Sequence, residues 1–233
     1  MIDWTTWGLA ALGAYLVGSI PFGFLMGRMK GIDIREHGSR NIGATNVGRV
    51  LGRRLGIACF VLDAAKGGVP VAVAGMLGGT WGRTPEEIGM TSLWLWLAIA
   101  CATYAGHVAP VWLRFRGGKG VATGFGALLA MWPVLTVPAL VALAVWGGLL
   151  ATLRYMSVAS ILAGVSIPIT TAVLAVATAD RPLAGLREAI PLLVVTSALA
   201  ALTTWRHRTN IERLIRGEEP RISRSPSTRP PSA

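Results

Sequence analysis

Apolar runs close to the length of a bilayer crossing alternate along this chain with short polar segments, and that alternation predicts the architecture. A spanning helix needs about 20 mostly apolar residues. Such runs cover residues 4–26, 55–77, 93–113, 157–178 and 189–205. A further apolar stretch, 121–153, is too long for one crossing and short for two. Trp132-Pro133 lies near its middle and Pro138 follows. Because proline ends or kinks a helix, the stretch predicts two short spans joined by a turn at 132–136. The expected fold is all-α, a polytopic membrane protein with seven transmembrane helices. Reading 121–153 as one kinked helix gives six.

The basic residues discriminate between these counts. With seven spans, one side of the membrane receives Arg28, Lys30, Arg35, Arg40, Arg49, Arg53, Arg54, Arg114, Arg116, Lys119, Arg154, Arg206, Arg208, Arg213, Arg216, Arg221, Arg224 and Arg229. The other side receives only Arg83, Arg181 and Arg187, and Lys66 falls within a span. Lys and Arg favour the cytoplasmic side, so this split predicts an external N-terminus and a cytoplasmic C-terminus. Six spans would spoil the separation.

Composition agrees. The chain of 233 residues is 53% hydrophobic and 14% charged, where soluble domains carry about 25% charged residues. Its mean hydropathy is +0.57. The net charge of +11 must then sit outside the hydrocarbon, where it suits lipid headgroups or anionic substrates. No nucleic-acid module and no interleaving of aromatics with basic residues is present, so no nucleic-acid partner is expected. Cys59 and Cys101 lie in apolar segments without a CxxC partner and read as buried hydrophobes. The N-terminal MIDWTTWGLA has no basic n-region and reads as a retained span. Residues 1–216 form the expected membrane domain; 217–233, rich in Pro, Ser and Arg, reads as a disordered basic tail.

The unusual polar motifs all fall at helix ends on the predicted cytoplasmic side. In HGSRNIGATN, residues 37–46, Ser39, Asn41, Thr45 and Asn46 offer hydroxyls and amides. Gly38, Gly43 and Gly48 permit turns that aim N–H groups at an anion, and Arg40 and Arg49 supply charge. Together they suit a phosphate cradle; an ordinary capped loop would use the same residue types. In FRGGKGVATGFG, residues 115–126, Gly117, Gly118 and Gly120 surround Lys119 ahead of a helix, an arrangement that presents N–H groups and a positive dipole end to an anion. It is not a nucleotide-hydrolysing P-loop, which needs G-x-x-x-x-G-K-[ST]. Gly124 and Gly126 read as helix-packing glycines.

Asp63 and Lys66 lie three apart on one helical face inside the second span. Each costs roughly 2.5–3.5 kcal/mol at a bilayer centre, so they should face inward and pair; structural and catalytic roles both stand. Arg154-Tyr155-x-Ser157 begins the sixth span, and RHRTNIERL, residues 206–214, ends the seventh with His207 and Asn210 one turn apart. His107 and His207 are candidate bases, with an interfacial hydrogen-bonding role the simpler reading for His107. No GxSxG, HExxH or Asp-rich motif is present, and no metal is expected.

Taken in order, GSRNIGATNVGR, the D-x-x-K-G of residues 63–67, GHVAPVWLRFRGGKGVAT, RYMS and RHRTNIERL resemble the bacterial acyl-phosphate:glycerol-3-phosphate acyltransferases, over nearly all of residues 8–217. One departure is Arg40, where that family commonly has glycine. The resemblance implies acyl transfer from acyl phosphate to the 1-hydroxyl of sn-glycerol 3-phosphate, giving lysophosphatidic acid and inorganic phosphate, the first acylation of phospholipid synthesis. It implies a multi-pass protein of the bacterial inner membrane whose site faces the cytoplasm. It also implies no cofactor, a polar site lined by Ser39, Arg49, Lys119, Ser157, His207 and Asn210, with Ser39, Lys119, His207 and Asn210 catalytic, and a donor loop at Gly117, Gly118 and Gly120. A functional link to a peripheral acyl-phosphate synthase would follow. A transporter for an anionic metabolite would place its polar groups near the midplane and show inverted repeats. A non-enzymatic lipid-binding scaffold would explain the basic face but not the Gly/Ser/Asn motifs.

Overall fold

The structure, a computed structural model, describes residues 3–222. All regular secondary structure among them is helical. Helix α1 (Trp4–Gly18) begins at Asp3, whose carboxylate accepts from the Thr6 N–H at 2.7 Å. The first predicted span is broken at 19–21, where Pro21 cannot continue the ladder, and resumes as α2 (Phe22–Met29). Helices α3 (Ala44–Leu51) and α4 (Arg53–Gly78) meet at Gly52, with φ 97°. A short α5 (Pro85–Ile88) leads into α6 (Met90–Val108).

The 121–153 stretch breaks where its prolines predict. It forms α7 (Val121–Leu129) and α8 (Thr136–Leu153), with the turn between them bonded across to the 79–82 loop. Then come α9 (Met156–Thr178), α10 (Pro182–Glu188), α11 (Ile190–Arg206) and the amphipathic α12 (Arg208–Ile215). Five segments are long and apolar enough to cross a membrane: Trp4–Met29, Arg53–Gly78, Met90–Leu113, Thr136–Leu153 and Met156–Thr178. The pair α10 and α11, bent by 61°, makes a sixth if taken together. Helix α7 has nine residues, about 13 Å of rise, and does not reach across by itself.

Small residues let the backbones approach. Gly67 faces the Thr123 carbonyl and Gly126 the Ala64 carbonyl, which seats α7 against α4. Gly18 and Gly106 seat α1 against α6 in the same way. In lipid, where burial from water does not drive helices together, such close packing holds a bundle. Trp96, fully buried, donates its indole N–H to the Val71 carbonyl at 2.8 Å and ties α6 to α4. Leu9, Ile57, Val61, Val69, Leu140, Ile169 and Val173 point outward, the apolar exterior that hydrocarbon solvates.

The boundary drawn at Gly217 shifts. Residues 217–222 bond back onto the helical domain: the Ile222 N–H donates to the Arg154 carbonyl, and the Arg154 guanidinium donates to the Ile222 carbonyl. The rest of the predicted tail, with Arg224 and Arg229, lies outside the described residues.

Candidate functional site

Two loops and two helix starts converge at one end of the bundle. The loop 114–120 folds back against the end of α6, and each of its glycines is required by that contact. The Gly117 and Gly118 N–H groups donate to the carbonyls of Val108 and His107, both at 3.1 Å. A side chain at Gly118 would strike the His107 ring, and one at Gly120, which has φ 82°, would strike Tyr104. Arg206 donates to the carbonyls of Gly117 and Gly118 at 3.2 and 2.7 Å. The first two glycine N–H groups are therefore consumed inside the fold. The N–H groups left for an anion are those at Lys119, Gly120 and the first turn of α7, where the helix dipole is positive.

Lys119 reaches from this loop to the Asn210 side-chain carbonyl. Asn210, on α12, donates its amide to Glu219 Oε1 at 2.7 Å. The Ser157 hydroxyl, at the start of α9, donates to the same oxygen at 2.8 Å, and Arg213 donates to Oε2 at 2.8 Å. Lys119, Ser157 and Asn210 are thus brought together around a carboxylate that the sequence reading assigned to a disordered tail. Glu219 remains ionised to lower pH than an ordinary carboxylate: burial opposes this, and the hydrogen bonds from Asn210, Ser157 and Arg213 overcome it.

The neighbours set the other charges. Burial brings the Lys119 ammonium down to about 8; Glu219 opposes the shift, and Arg213, Arg206 and Arg49 add to it. Arg49, on α3, is therefore close enough for its charge to be felt at Lys119. His207, at the junction of α11 and α12, is buried, and its Nδ1 lies 2.8 Å from the Thr203 carbonyl. A carbonyl only accepts, so Nδ1 carries the proton and Nε2 a free lone pair. Burial first, and then the Lys119 charge, lower its pKa to about 4, leaving a weak base.

The 37–46 loop is organised around Asn46. Its Oδ1 accepts from the Ser39 N–H at 2.7 Å, and its Nδ2 donates to the carbonyls of Ile34, His37 and Asn41. With every side-chain atom engaged and the residue buried, Asn46 builds the loop and has nothing left for a ligand. Asn41 is half-used, accepting from the Gly43 N–H at 2.9 Å. Ser39 and Thr45 are exposed, and no hydrogen bond among the described residues joins this loop to the Lys119 cluster. Arg40 has φ 58°, a left-handed backbone that costs a residue with a Cβ about 1–2 kcal/mol; glycine is the natural occupant.

Tyr104 was missed by sequence reasoning. Its hydroxyl joins the Lys119 carbonyl to the Thr203 hydroxyl, 3.2 Å from each, and a lone Tyr in an apolar helix carries no signal of that. Tyr104, Gly120 and Thr203 also form the polar rim of an apolar groove that continues past Phe125 and Leu128 to Ile167 and Thr196. Among the described residues, no three His, Cys, Asp or Glu side chains cluster as metal ligands.

A helical, multi-pass membrane protein with a cationic, amide-rich pocket opening onto an apolar groove is the class that the fold and site define. The glycerol-3-phosphate acyltransferase family model matches residues 8–217, and the chain belongs to that family. A glycerol-3-phosphate acyltransferase of Desulforamulus reducens is 43% identical over 212 residues, 91% of this chain and 92% of that one. One from Geobacter sulfurreducens is 42% identical over 210 residues, 90% of this chain and 94% of that one. Two crystal structures of PlsY (YgiH), an integral membrane glycerol 3-phosphate acyltransferase, are similar throughout. Both are 36% identical and cover 94% of this chain and 96% of theirs; the glycerol 3-phosphate form has a TM-score of 0.77 and the lysophosphatidic acid form 0.75.

Proposed function

We propose that this acyltransferase uses acyl phosphate as donor. It moves the fatty acyl group to the 1-hydroxyl of sn-glycerol 3-phosphate, releasing lysophosphatidic acid and inorganic phosphate. The observation that carries this reading is the junction at Lys119–Gly120, where the cationic cluster and the apolar groove share a wall. One substrate has a charged head and a fatty tail, and the other is a small dianion, so a site must gather cations beside a lipid-shaped trough.

In the reaction the 1-hydroxyl oxygen attacks the acyl carbonyl carbon, the carbon–oxygen bond to phosphate breaks, and the hydroxyl proton leaves with a phosphate oxygen. The mixed anhydride is already activated, so positioning and charge stabilisation account for most of the catalysis. Lys119 and Arg49 neutralise the phosphates. Asn210 orients them with its second amide hydrogen, Ser157 fixes the Glu219 carboxylate beside it, and the N–H groups at Lys119 and Gly120 face developing negative charge. Ser39 stands with Arg49 on the glycerol phosphate side. His207, with its pKa near 4, is too weak a base to keep the hydroxyl proton, which the substrate phosphate takes.

In the membrane, the chain makes seven crossings, α7 with its flanking loop being the short one. The N-terminus lies outside, and the site faces the cytoplasm of a bacterial inner membrane. The basic residues favour this orientation, and it lets the site receive donor from a cytoplasmic or peripheral acyl-phosphate synthase. The test is phosphate release by purified protein supplied with acyl phosphate and glycerol 3-phosphate, run beside thiol release by the same protein supplied with acyl-CoA and glycerol 3-phosphate. Release that depends on both phosphates supports the reading. Turnover with acyl-CoA alone, or glycerol 3-phosphate flux into vesicles without lipid product, overturns it.

A further inference from the structure

Beneath the glycine loop, apart from the cluster around Glu219, lies a second polar group that the reaction above does not use. Asp63 and Lys66 come from the interior of α4 and His107 from the last turn of α6, and their side chains are 2%, 2% and 4% exposed. Lys66 Nζ lies 2.7 Å from Asp63 Oδ1 and donates to the Ile20 carbonyl at 2.6 Å, at the break between α1 and α2. His107 Nδ1 lies 3.6 Å from Asp63 Oδ1. The other edge of the His107 ring abuts Gly118, and the His107 carbonyl takes the Gly118 N–H. Nearby, Thr123 of the first turn of α7 packs its backbone on Gly67, and its hydroxyl, like His107 Nδ1, has no hydrogen bond among the described residues.

A continuous chain of contacts therefore runs from the first broken span, through the ion pair, to the loop whose N–H groups face the site. An ion pair sunk among transmembrane helices is costly, and apolar residues of equal volume generally stabilise a fold as well or better. Stability does not account for retaining these charges; their contact with the loop does. We propose that Asp63 and His107 are positioning residues for acyl transfer. Asp63, balanced by Lys66, holds the His107 ring against Gly118 and so fixes where the Lys119 and Gly120 N–H groups point. The role rests on the acyl-phosphate reading, in which those N–H groups meet a substrate phosphate.

The test uses full-length protein in detergent, measuring kcat and KM with acyl phosphate and glycerol 3-phosphate beside a thermal melt. Asp63→Asn keeps shape and removes charge; His107→Asn keeps an amide facing Asp63 and abandons Gly118. Each should lose tenfold or more in kcat/KM with a melting temperature near that of the wild type. The double variant should be no worse than either single one, because the two residues act in series. His107→Gln, which returns a nitrogen to the Nε2 position, should recover part of the loss. If Asp63→Asn does not fold, the charge-free pair Asp63→Asn with Lys66→Met replaces it. Folded variants with wild-type kinetic constants overturn the proposal. So do a His107→Gln no better than His107→Asn, or a failure of all these variants to fold. A wild-type protein inactive with acyl phosphate would instead sink the donor reading, a separate result.

Discussion

Raising the pH through the titration of Lys119 should weaken catalysis while making the fold more stable. Burial holds this ammonium at about 8, against 10.5 for an ordinary lysine. That difference corresponds to a penalty of roughly 3 kcal/mol for carrying the proton in the folded state. Between those two values the unfolded chain binds a proton that the native protein lacks, so stability rises with pH across the window; below the folded value the penalty is fully present. Activity moves the other way. The quantity kcat/KM reports the free enzyme, so it should fall about tenfold per pH unit once Lys119 is more than half neutral. The substrate phosphates do not confound this limb, since they complete their ionisation near pH 6. Glu219 is the anion that props the Lys119 pKa up, so Glu219→Gln should move the limb to lower pH. Lys119→Arg, which does not titrate in this range, should abolish it. The assay is phosphate release at limiting substrate between about pH 6 and 10, corrected with enzyme-free blanks, alongside thermal melts in the same buffers. A profile flat to the alkaline end, or a limb that Glu219→Gln leaves in place, would refute the reasoning.

Lys119→Ala removes a charge-assisted contact worth about 1.5–3 kcal/mol and should cut kcat/KM by roughly one to two decades; a near-normal value would take Lys119 out of the site. His207→Gln should retain measurable turnover, because the proton leaves with phosphate; a near-complete loss of kcat at unchanged KM would make His207 the base. Arg40→Gly should raise stability by about 0.5–1 kcal/mol, the left-handed strain relieved less the entropy that glycine gains in the unfolded chain. A thermal melt checks it, and a lower melting temperature would mean that the exposed Arg40 side chain makes contacts worth more than its strain.

What could be read in advance follows from how local its physics is. The 132–136 turn was legible because proline acts on its own backbone, and the Asp63–Lys66 pair because two charges three apart on a helix in hydrocarbon have few alternatives. Pro21 carried the same signal for the first span and was passed over inside an otherwise continuous apolar run. The glycines of 117–120 were noticed, but which way their N–H groups point depends on the carbonyls of His107 and Val108, which no local pattern reveals. Asn46 looked like a ligand because an amide that builds a loop and one that binds a phosphate are the same residue in a sequence. Glu219 was hidden by its setting: one carboxylate in a basic, proline-rich tail becomes meaningful only when Ser157 and Asn210 meet it from sixty-two and nine positions away.

The shortness of α7 has an electrical consequence. Nine residues rise about 13 Å, less than half of a hydrocarbon core about 30 Å thick, so in the seven-crossing arrangement proposed above the glycine loop at its head sits in a water-filled recess below the cytoplasmic surface. Asp63, ten residues into α4 from Arg53, marks the same level at about 15 Å along that helix. In the orientation proposed above, glycerol 3-phosphate descending from a negative interior travels part-way toward the positive exterior. For a dianion crossing a third of a 100 mV drop, that is worth roughly 1.5 kcal/mol in favour of binding. An energised membrane would then help to load the enzyme with its acceptor, and a depolarised one would leave it hungrier.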